Sequence, residues 1–572
     1  VHPRLGPGGG RRIPTRARPN ANTWEPAVRA GQVSAAALLA RPASHRPYEL
    51  PRHCPVAEYT RFIDGQPIDD SYKRQKLREY HSFLTRWPEL PEWFNAPMVE
   101  RIGRLRGDPP RRGSFSLSYR VRPYLVFLGL HGYATFDYPW LLAASQVNLG
   151  RAAAAAGVDL GIDSLVTETV ALGFGRGSAS QAMHWSVSRI LLHSGLRHVD
   201  EITETHIAEA LAAIRSFGER PDLACFYGTP ADYRLGQAKS WITQLHQLQV
   251  VLFHRGQVAA QPRKLMPTYA TPDKLPVRMQ AVLTRWLATR RLTDRPATVY
   301  KLGLAVRRFG AWLGEQDPTI ESFADVTRDH CLAFLQVLVE QPSPMTGRPL
   351  CALSRIGRTS GLALFFRDTA AWGWDDVPGR PLLGPRDAPK HPARVPRFIP
   401  EGELAQLMAA IAQLECPFQR AALLVARWSG ARRGEIQRLA LDCLDAYPDG
   451  TARLRIPAGK TYRERIVPLH EEAATALQAV IHLRSGGSER AFVDAITGAP
   501  TRYLFMQHGK LLSTYYLFET PIQQTCTLAG LVDSGGRGTV TAHRFRHTVG
   551  TQLAERGAKL HTIMRVLGHT SV

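Results

Sequence analysis

Two proline-rich basic stretches, "QPRKLMPTYATPDKLP" (261–276) and "WGWDDVPGRPLLGPRDAPKHPARVPRF" (372–398), constrain this chain more than any other feature. Proline fixes φ and removes a backbone donor, so neither stretch can continue a helix or a central strand. Both read as linkers. They divide the chain into an N-terminal extension, a middle piece over about 277–378 and a final piece from about 395. A chain of 572 residues is too long for one core, and three or four domains are expected. A linker as long as the second lets two domains close around a cylinder such as duplex DNA.

Apolar residues make up 44% of the chain, as in ordinary globular proteins. The charge does more to narrow the function. There are 72 basic and 49 acidic residues, a net charge of +23. A protein this basic usually meets a polyanion, nucleic acid first; the competing reading is an arginine-favouring genome. Seven scattered cysteines, none in a CxxC pair, fit reduced thiols and not a disulfide framework or a structural zinc site. The most apolar run, "YLVFLGLHGYATFDYPWLLAA", is broken by His131, Asp137 and Pro139, so it reads as a buried helix or helix pair rather than a membrane span. No signal peptide is seen, and a bacterial cytoplasmic, nucleoid-associated location without membrane contact is expected. The sequence opens on Val1, not Met, as a fragment or conceptual translation would.

Residues 1–24, rich in Gly, Pro and Arg, read as a disordered basic tail. Residues 25–260 read as a mostly helical extension of open role. Within it, "RIGRLRGDPPRRGSFSLSYRVR" (101–122) is either a phosphate-contacting loop or a solvated one. Further on, "VDEITETHIAEALAAI" aligns without a gap with "FADVTRDHCLAFLQVL" of the middle piece. Ile202 falls on Val326, Thr203 on Thr327, His206 on His330 and Leu211 on Leu335. Each threonine fits a helix N-cap, and each segment follows an amphipathic helix, near Trp185–His193 and Val299–Leu313. This resembles a duplicated helical unit: an extra DNA-clasping module, or a convergent helix pair.

The final piece carries the chemistry. Pro400 opens a helix with Leu404, Leu407, Met408 and Ile411 on one face. In "LLVARWSGARRGEIQRLALDCLD" a buried helix breaks at Ser429-Gly430 and a new one starts near Arg432, where free backbone N–H groups suit a phosphate. Glu435, three residues on, can orient an arginine. "ARLRIPAGKTYRERIVPL" alternates apolar and charged residues about Gly459-Lys460-Thr461 and reads as a β-hairpin tipped by Lys460. In "TAHRFRHTVGTQLAERGAKLHTIMRVLGHTSV", His543 and Arg546 share a helix face. Gly557 ends that helix, and Gly568 ends the next and presents His569.

Taken singly, these are a surface arginine, a turn lysine or a core histidine. As an ordered set, "SGARRGEI", "GKTYRERIVPL", "HRFRHT" and "LGH" resemble the motifs of the tyrosine recombinase (phage integrase) family. The resemblance is specific over the final domain and loose over the middle one. It implies a mainly α, multidomain fold: a helical, SAM-like core-binding domain (277–378) and a mixed α+β catalytic domain (395–572) with a small β-hairpin or sheet. It implies catalytic roles for Arg432, Lys460, His543, Arg546 and His569, with Glu435 and His547 as supports. The family reaction is strand cleavage and rejoining through a 3′-phosphotyrosyl intermediate. Its partners would be double-stranded DNA and, on two duplexes, three further copies of the chain in a tetramer. No cofactor or metal is expected, because two arginines and a helix terminus do a metal's work. The family's tyrosine nucleophile lies two to three helical turns past "LGH"; Tyr515 and Tyr516 lie upstream of "HRFRHT" and match no such position. The resemblance therefore implies a sequence cut before its nucleophile. A mobile-element integrase or transposase is the leading expectation. A type IB topoisomerase-like enzyme and a truncated or non-catalytic DNA-binding protein are the alternatives.

Overall fold

The computed structural model describes residues 51–107, 116–144, 147–262, 275–343, 347–390, 397–485, 487 and 490–569. The expected basic tail (1–24), part of the 101–122 loop and the residues after His569 lie outside the described residues. The chain is mainly α-helical, with small antiparallel sheets. It divides into two compact units: one built on residues 275–390, the other combining the N-terminal region with the C-terminal domain.

In the first unit, helices Val277–Arg290, Pro296–Gln316, Arg328–Glu340 and Ala352–Ala371 enclose Trp286, Phe309, Phe334, Phe365 and Phe366. The second and fourth of these helices pack most closely. A Cβ on Gly361 would lie 2.9 Å from that of Ala305, so only glycine permits this approach.

The N-terminal region of the second unit is organised by aromatic rings, among them Tyr59, Tyr80, Trp93, Tyr124 and Trp140, all fully buried. The apolar run folds as two helices, Arg122–Leu130 and Tyr138–Ala143. Its three interrupting residues mark their ends: His131 follows the first, Asp137 caps the second by accepting from the Trp140 N–H at 2.7 Å, and Pro139 sits in the first turn. Among the described residues no helix is long and apolar enough to cross a membrane. The phosphate-contacting reading of 101–122 is corrected at two positions. Arg101 is buried and pairs with Asp137 at 2.6 Å, and Arg122 is buried and donates to the Ile102 carbonyl at 2.9 Å. Neither is available to a polyanion.

Thr203 and Thr327 both cap helices, Glu204–Phe217 and Arg328–Glu340. At each cap the threonine N–H donates to a histidine Nδ1 three residues on, His206 at 3.0 Å and His330 at 3.2 Å. A short 3₁₀ turn precedes each cap, Val199–Glu201 and Phe323–Asp325, with Val199 and Phe323 fully buried.

In the C-terminal domain, helix Pro417–Ser429 is buried on nearly every side from Ala421 to Arg427, as expected of a central helix. Helices Glu471–Arg484 and Ala542–Glu555 pack against it. The sheet has the order β1 (Leu444–Ala446), β2 (Ala452–Ile456), β3 (Arg465–Pro468). Leu454 faces Val467 and Ile456 faces Arg465. Leu454, Ile456 and Val467 point to the core, so the alternation fixes the register.

The N-terminal region docks on this domain through His254. Its Nε2 lies 2.7 Å from the Gly509 carbonyl, and its Nδ1 accepts from the Arg490 N–H at 3.1 Å. The Arg490 guanidinium donates to the Phe253 and Val258 carbonyls, and the Phe253 and Phe492 rings meet at 5.0 Å.

Candidate active site

Three segments far apart in sequence build one cationic pocket. The first is the break after helix Pro417–Ser429. Gly430 turns left-handed (φ 60°), and a Cβ there would lie 2.8 Å from Leu567. Arg432 then caps the short helix Arg433–Gln437. Glu435, 2% exposed, accepts from Arg432 twice, from the guanidinium at 2.8 Å and from the backbone N–H at 3.0 Å. The expectation of a free backbone N–H at Arg432 is thereby revised: Glu435 already occupies it.

The second segment is the β2–β3 connection. Arg465, at the start of β3, donates to Glu435 at 2.8 Å and to the Val566 carbonyl at 2.8 Å. Lys460 lies in the exposed turn of this hairpin, and its neighbour Thr461 reaches the Gly568 carbonyl at 3.4 Å. A Cβ on Gly459 would sit 2.1 Å from a Glu435 carboxylate oxygen, so glycine is required for the hairpin to close over that carboxylate. Arg438 anchors the base of the loop, donating to the Ala458 carbonyl and to Asp494, both at 2.7 Å.

The third segment is the C-terminal helix pair, Ala542–Glu555 and Leu560–Leu567. Arg546 is 3% exposed; its guanidinium donates to the Gly430 carbonyl at 2.8 Å and to the Leu567 carbonyl. His543 and His547, one turn apart on the same helix, place their rings edge to face at 4.5 Å. Gly568 ends the last helix left-handed (φ 64°) and presents His569, which is exposed.

The charges do not balance. Arg432 and Arg465 both donate to one carboxylate, Glu435, and Arg546 lies near enough to feel its charge while bonding only backbone carbonyls. Burial alone would raise the Glu435 carboxyl, but Arg465 and Arg432 overcome it and hold it below the usual range. Burial, then repulsion from Arg432, pushes Arg546 down to about 10, still charged at neutral pH. Burial lowers His543, followed by the charges of His547, Arg546 and Arg432, with His569 adding to them. It lowers His569 too, with Arg546 and Arg432 next. His547 is lowered by burial and then by Arg546. These mutual effects show that Arg432, His543, Arg546, His547 and His569 share one neighbourhood. Such a cluster of donors suits an anion with several acceptor oxygens.

The sequence reading did not single out Arg465. Two arginines alternate in "RERIVPL", and only the strand register decides which one turns toward Glu435. Arg438 was missed as well, because nothing local marks its partners Asp494 and Ala458.

Transposase B from transposon Tn554 of Staphylococcus aureus (strain Mu50) is 27% identical over 291 residues, 51% of this chain and 43% of the transposase. A tyrosine recombinase of Pseudothermotoga lettingae is 25% identical over 284 residues, 50% of this chain and 86% of that protein. XerC of Chlamydia muridarum is 37% identical over 144 residues, 25% of this chain and 40% of that protein. The chain thus spans less than half the length of the Tn554 transposase it matches. Among solved structures, XerH site-specific recombinase bound to its difH substrate aligns with a TM-score of 0.39 at 18% identity, covering 51% of this chain and 79% of that one. Residues 397–572, which carry every part of the cationic pocket, match the model of the phage integrase family.

Proposed function

We propose that this chain is a site-specific recombinase of a mobile element, an integrase or transposase, acting on a phosphodiester of duplex DNA. The observation that carries this reading is the charge imbalance: Arg432 and Arg465 share the buried carboxylate of Glu435, while the nearby buried Arg546 bonds only the neutral Gly430 and Leu567 carbonyls. A scissile phosphate supplies the missing negative charge, and more of it in the transition state, where charge builds on the non-bridging oxygens. Arg432 and Arg546 clamp those oxygens by preorganised electrostatics. His569 donates a hydrogen bond to the phosphate. His543, held neutral at pH 7 by its lowered pKa, accepts the proton of an attacking tyrosine hydroxyl. Lys460 protonates the departing 5′-oxygen. The P–O bond to the tyrosine forms as the P–O bond to the 5′-oxygen breaks, so the phosphoester energy is conserved and no nucleotide triphosphate is consumed. Glu435 and His547 hold the clamp in place, and Arg465 joins them in that role.

In this reading, residues 277–378 are the core-binding domain and 395–572 the catalytic domain, four copies assemble on two duplexes, and the protein works in the bacterial cytoplasm at the nucleoid. The test uses the polypeptide extended through whatever its reading frame encodes after Val572. A nicked duplex bearing the target site should trap a covalent protein–DNA adduct. Arg546→Ala and Arg432→Ala should abolish the adduct and leave DNA binding largely intact. Normal adduct formation by either variant overturns the role assignment. DNA binding without any adduct supports a non-catalytic binding protein instead, and supercoil relaxation without synapsis supports a topoisomerase-like enzyme.

A further inference from the structure

The short helix Arg433–Gln437 and its C-cap hold the Lys460 turn from two sides. Glu435 lies under Gly459, where a Cβ would sit 2.1 Å from its carboxylate. Arg438, three residues on, donates from Nη2 to the Ala458 carbonyl at 2.7 Å. The same guanidinium grips Asp494 with two nitrogens, Nε to Oδ2 at 2.7 Å and Nη2 to Oδ1 at 3.3 Å. Both partners are withdrawn from water: the Asp494 side chain is 4% exposed and that of Arg438 12%.

Asp494 is itself held from several directions. It accepts from the Ile496 and Thr497 N–H groups, each at 2.9 Å, from the Thr497 hydroxyl at 3.2 Å and from the Tyr503 hydroxyl at 2.8 Å. Burial would raise its carboxyl, but these bonds, that of Arg438 first, bring it down to about 2, so it stays charged. The segment that carries Tyr503 is tied to the same helix end. The Leu441 N–H donates to the Arg502 carbonyl and the Leu504 N–H to the Leu439 carbonyl, both at 2.8 Å. On the other side, Phe492 and Tyr503 are buried in the aromatic core of the N-terminal region, with the Phe492 ring 5.0 Å from that of Phe253. Buried groups thus form a rigid mount behind an exposed lysine. Desolvation cancels much of the attraction within a buried ion pair, so stability alone does not account for one here. What the pair does fix is the position of the Ala458 carbonyl, two residues before Lys460.

We infer that Arg438 and Asp494 are positioning residues for Lys460: the buried pair holds the turn so that the ammonium meets the leaving 5′-oxygen. What Lys460 does there rests on the recombinase reading; what holds it does not. Proton transfer needs the donor within hydrogen-bond reach of the acceptor, and a misplacement of about 1 Å can cost about 10²-fold in rate. Tyr503 acts through Asp494, one bond further out.

Two measurements on the full chain test this. The first needs no DNA: trypsin cleavage after Lys460 under native conditions, with the cut after Arg537, in the exposed 533–538 turn, as internal control. Asp494→Asn and Arg438→Gln should speed the cut at Lys460 roughly tenfold and leave that at Arg537 unchanged, because a bond to a charged group no longer closes the turn. Tyr503→Phe keeps its ring in the core and removes one bond. It should act in the same direction, more weakly, even where the other two variants fail to fold. The second measurement is adduct formation by the polypeptide extended past Val572. The variants should slow cleavage of an ordinary phosphodiester by about 10–10²-fold. They should cleave a substrate with 5′-bridging sulfur at the unaltered rate, since a thiolate leaves without a proton. Equal slowing on both substrates, equal acceleration of both cuts, or an unchanged cut at Lys460 in the folded variants overturns the inference. The expected trypsin result with no adduct from the unaltered chain would sink the recombinase reading and still support the mount.

Discussion

Replacing Glu435 by glutamine isolates the feature on which the pocket depends. The side chain is 2% exposed and accepts from two guanidiniums, each at 2.8 Å, and from one backbone N–H. Glutamine keeps the shape and removes the charge, leaving Arg432 and Arg465 without a counter-ion beside the buried Arg546. Removing one partner of a buried ion pair costs about 3–5 kcal/mol. Arg432 is partly exposed, which argues for the lower end, about 3 kcal/mol. Glu435 belongs to a compact unit of roughly 400 residues, whose unfolding entropy is about 0.8 kcal/mol/K near its midpoint. The transition should therefore fall by about 4 °C in low salt, read by scanning calorimetry. Sulfate should then distinguish a packing defect from an electrostatic one, because an anion in the pocket replaces the lost charge. The Glu435→Gln protein should gain more stability from sulfate than the unaltered protein does. An unchanged midpoint, or equal sulfate stabilisation of both proteins, would refute the argument that uncompensated guanidinium charge defines the site.

Lys460→Ala should slow cleavage of an ordinary phosphodiester by about 10²–10⁴-fold. A substrate with sulfur at the 5′-bridging position should restore the rate, since a thiolate leaves without a proton; no restoration would remove Lys460 from the acid role. Gly459→Ala should cost about 1–3 kcal/mol and lower cleavage, because its Cβ would press on Glu435; thermal melting and adduct yield read both. His543, His547 and His569 all have folded pKa values below the usual histidine value of about 6.5. Their contribution to stability is present above about pH 6.5 and is lost as pH falls through the lower folded values. The adduct rate should follow the same direction, level until the pH falls through the lowered folded value of His543 and dropping beyond it. A rate that rises on acidification contradicts His543 as the base.

How far the sequence could be read depends on the range of the interaction. The Thr203 and Thr327 caps, the break at Ser429-Gly430 and the Gly568 terminus follow from local backbone chemistry, and local chemistry is written in neighbouring residues. The convergence of Arg432, His543 and Arg546 was legible only through motif resemblance, since 114 residues separate Arg432 from Arg546 and no periodicity spans that gap. Arg465, Arg438 and His254 were not legible at all. Each makes its defining contacts with backbone carbonyls or carboxylates of remote segments, such as Val566, Ala458 and Gly509, and a carbonyl carries no residue-type signal. The two buried arginines of the 101–122 segment mislead for a related reason: an arginine that fills a core position beside Asp137 looks in sequence like one that faces solvent.

The tie at His254 sets a timetable for synthesis. Its partner Arg490 is made 236 residues later, after an entire inserted unit has been translated. At about 5–20 residues per second the N-terminal region waits roughly 10–50 s with the surface around Phe253 uncovered. During that interval the nascent chain carries an uncovered apolar face while the inserted unit is translated and folds. Ribosome-bound intermediates halted between residues 262 and 490 should therefore be the forms of this protein most dependent on chaperones.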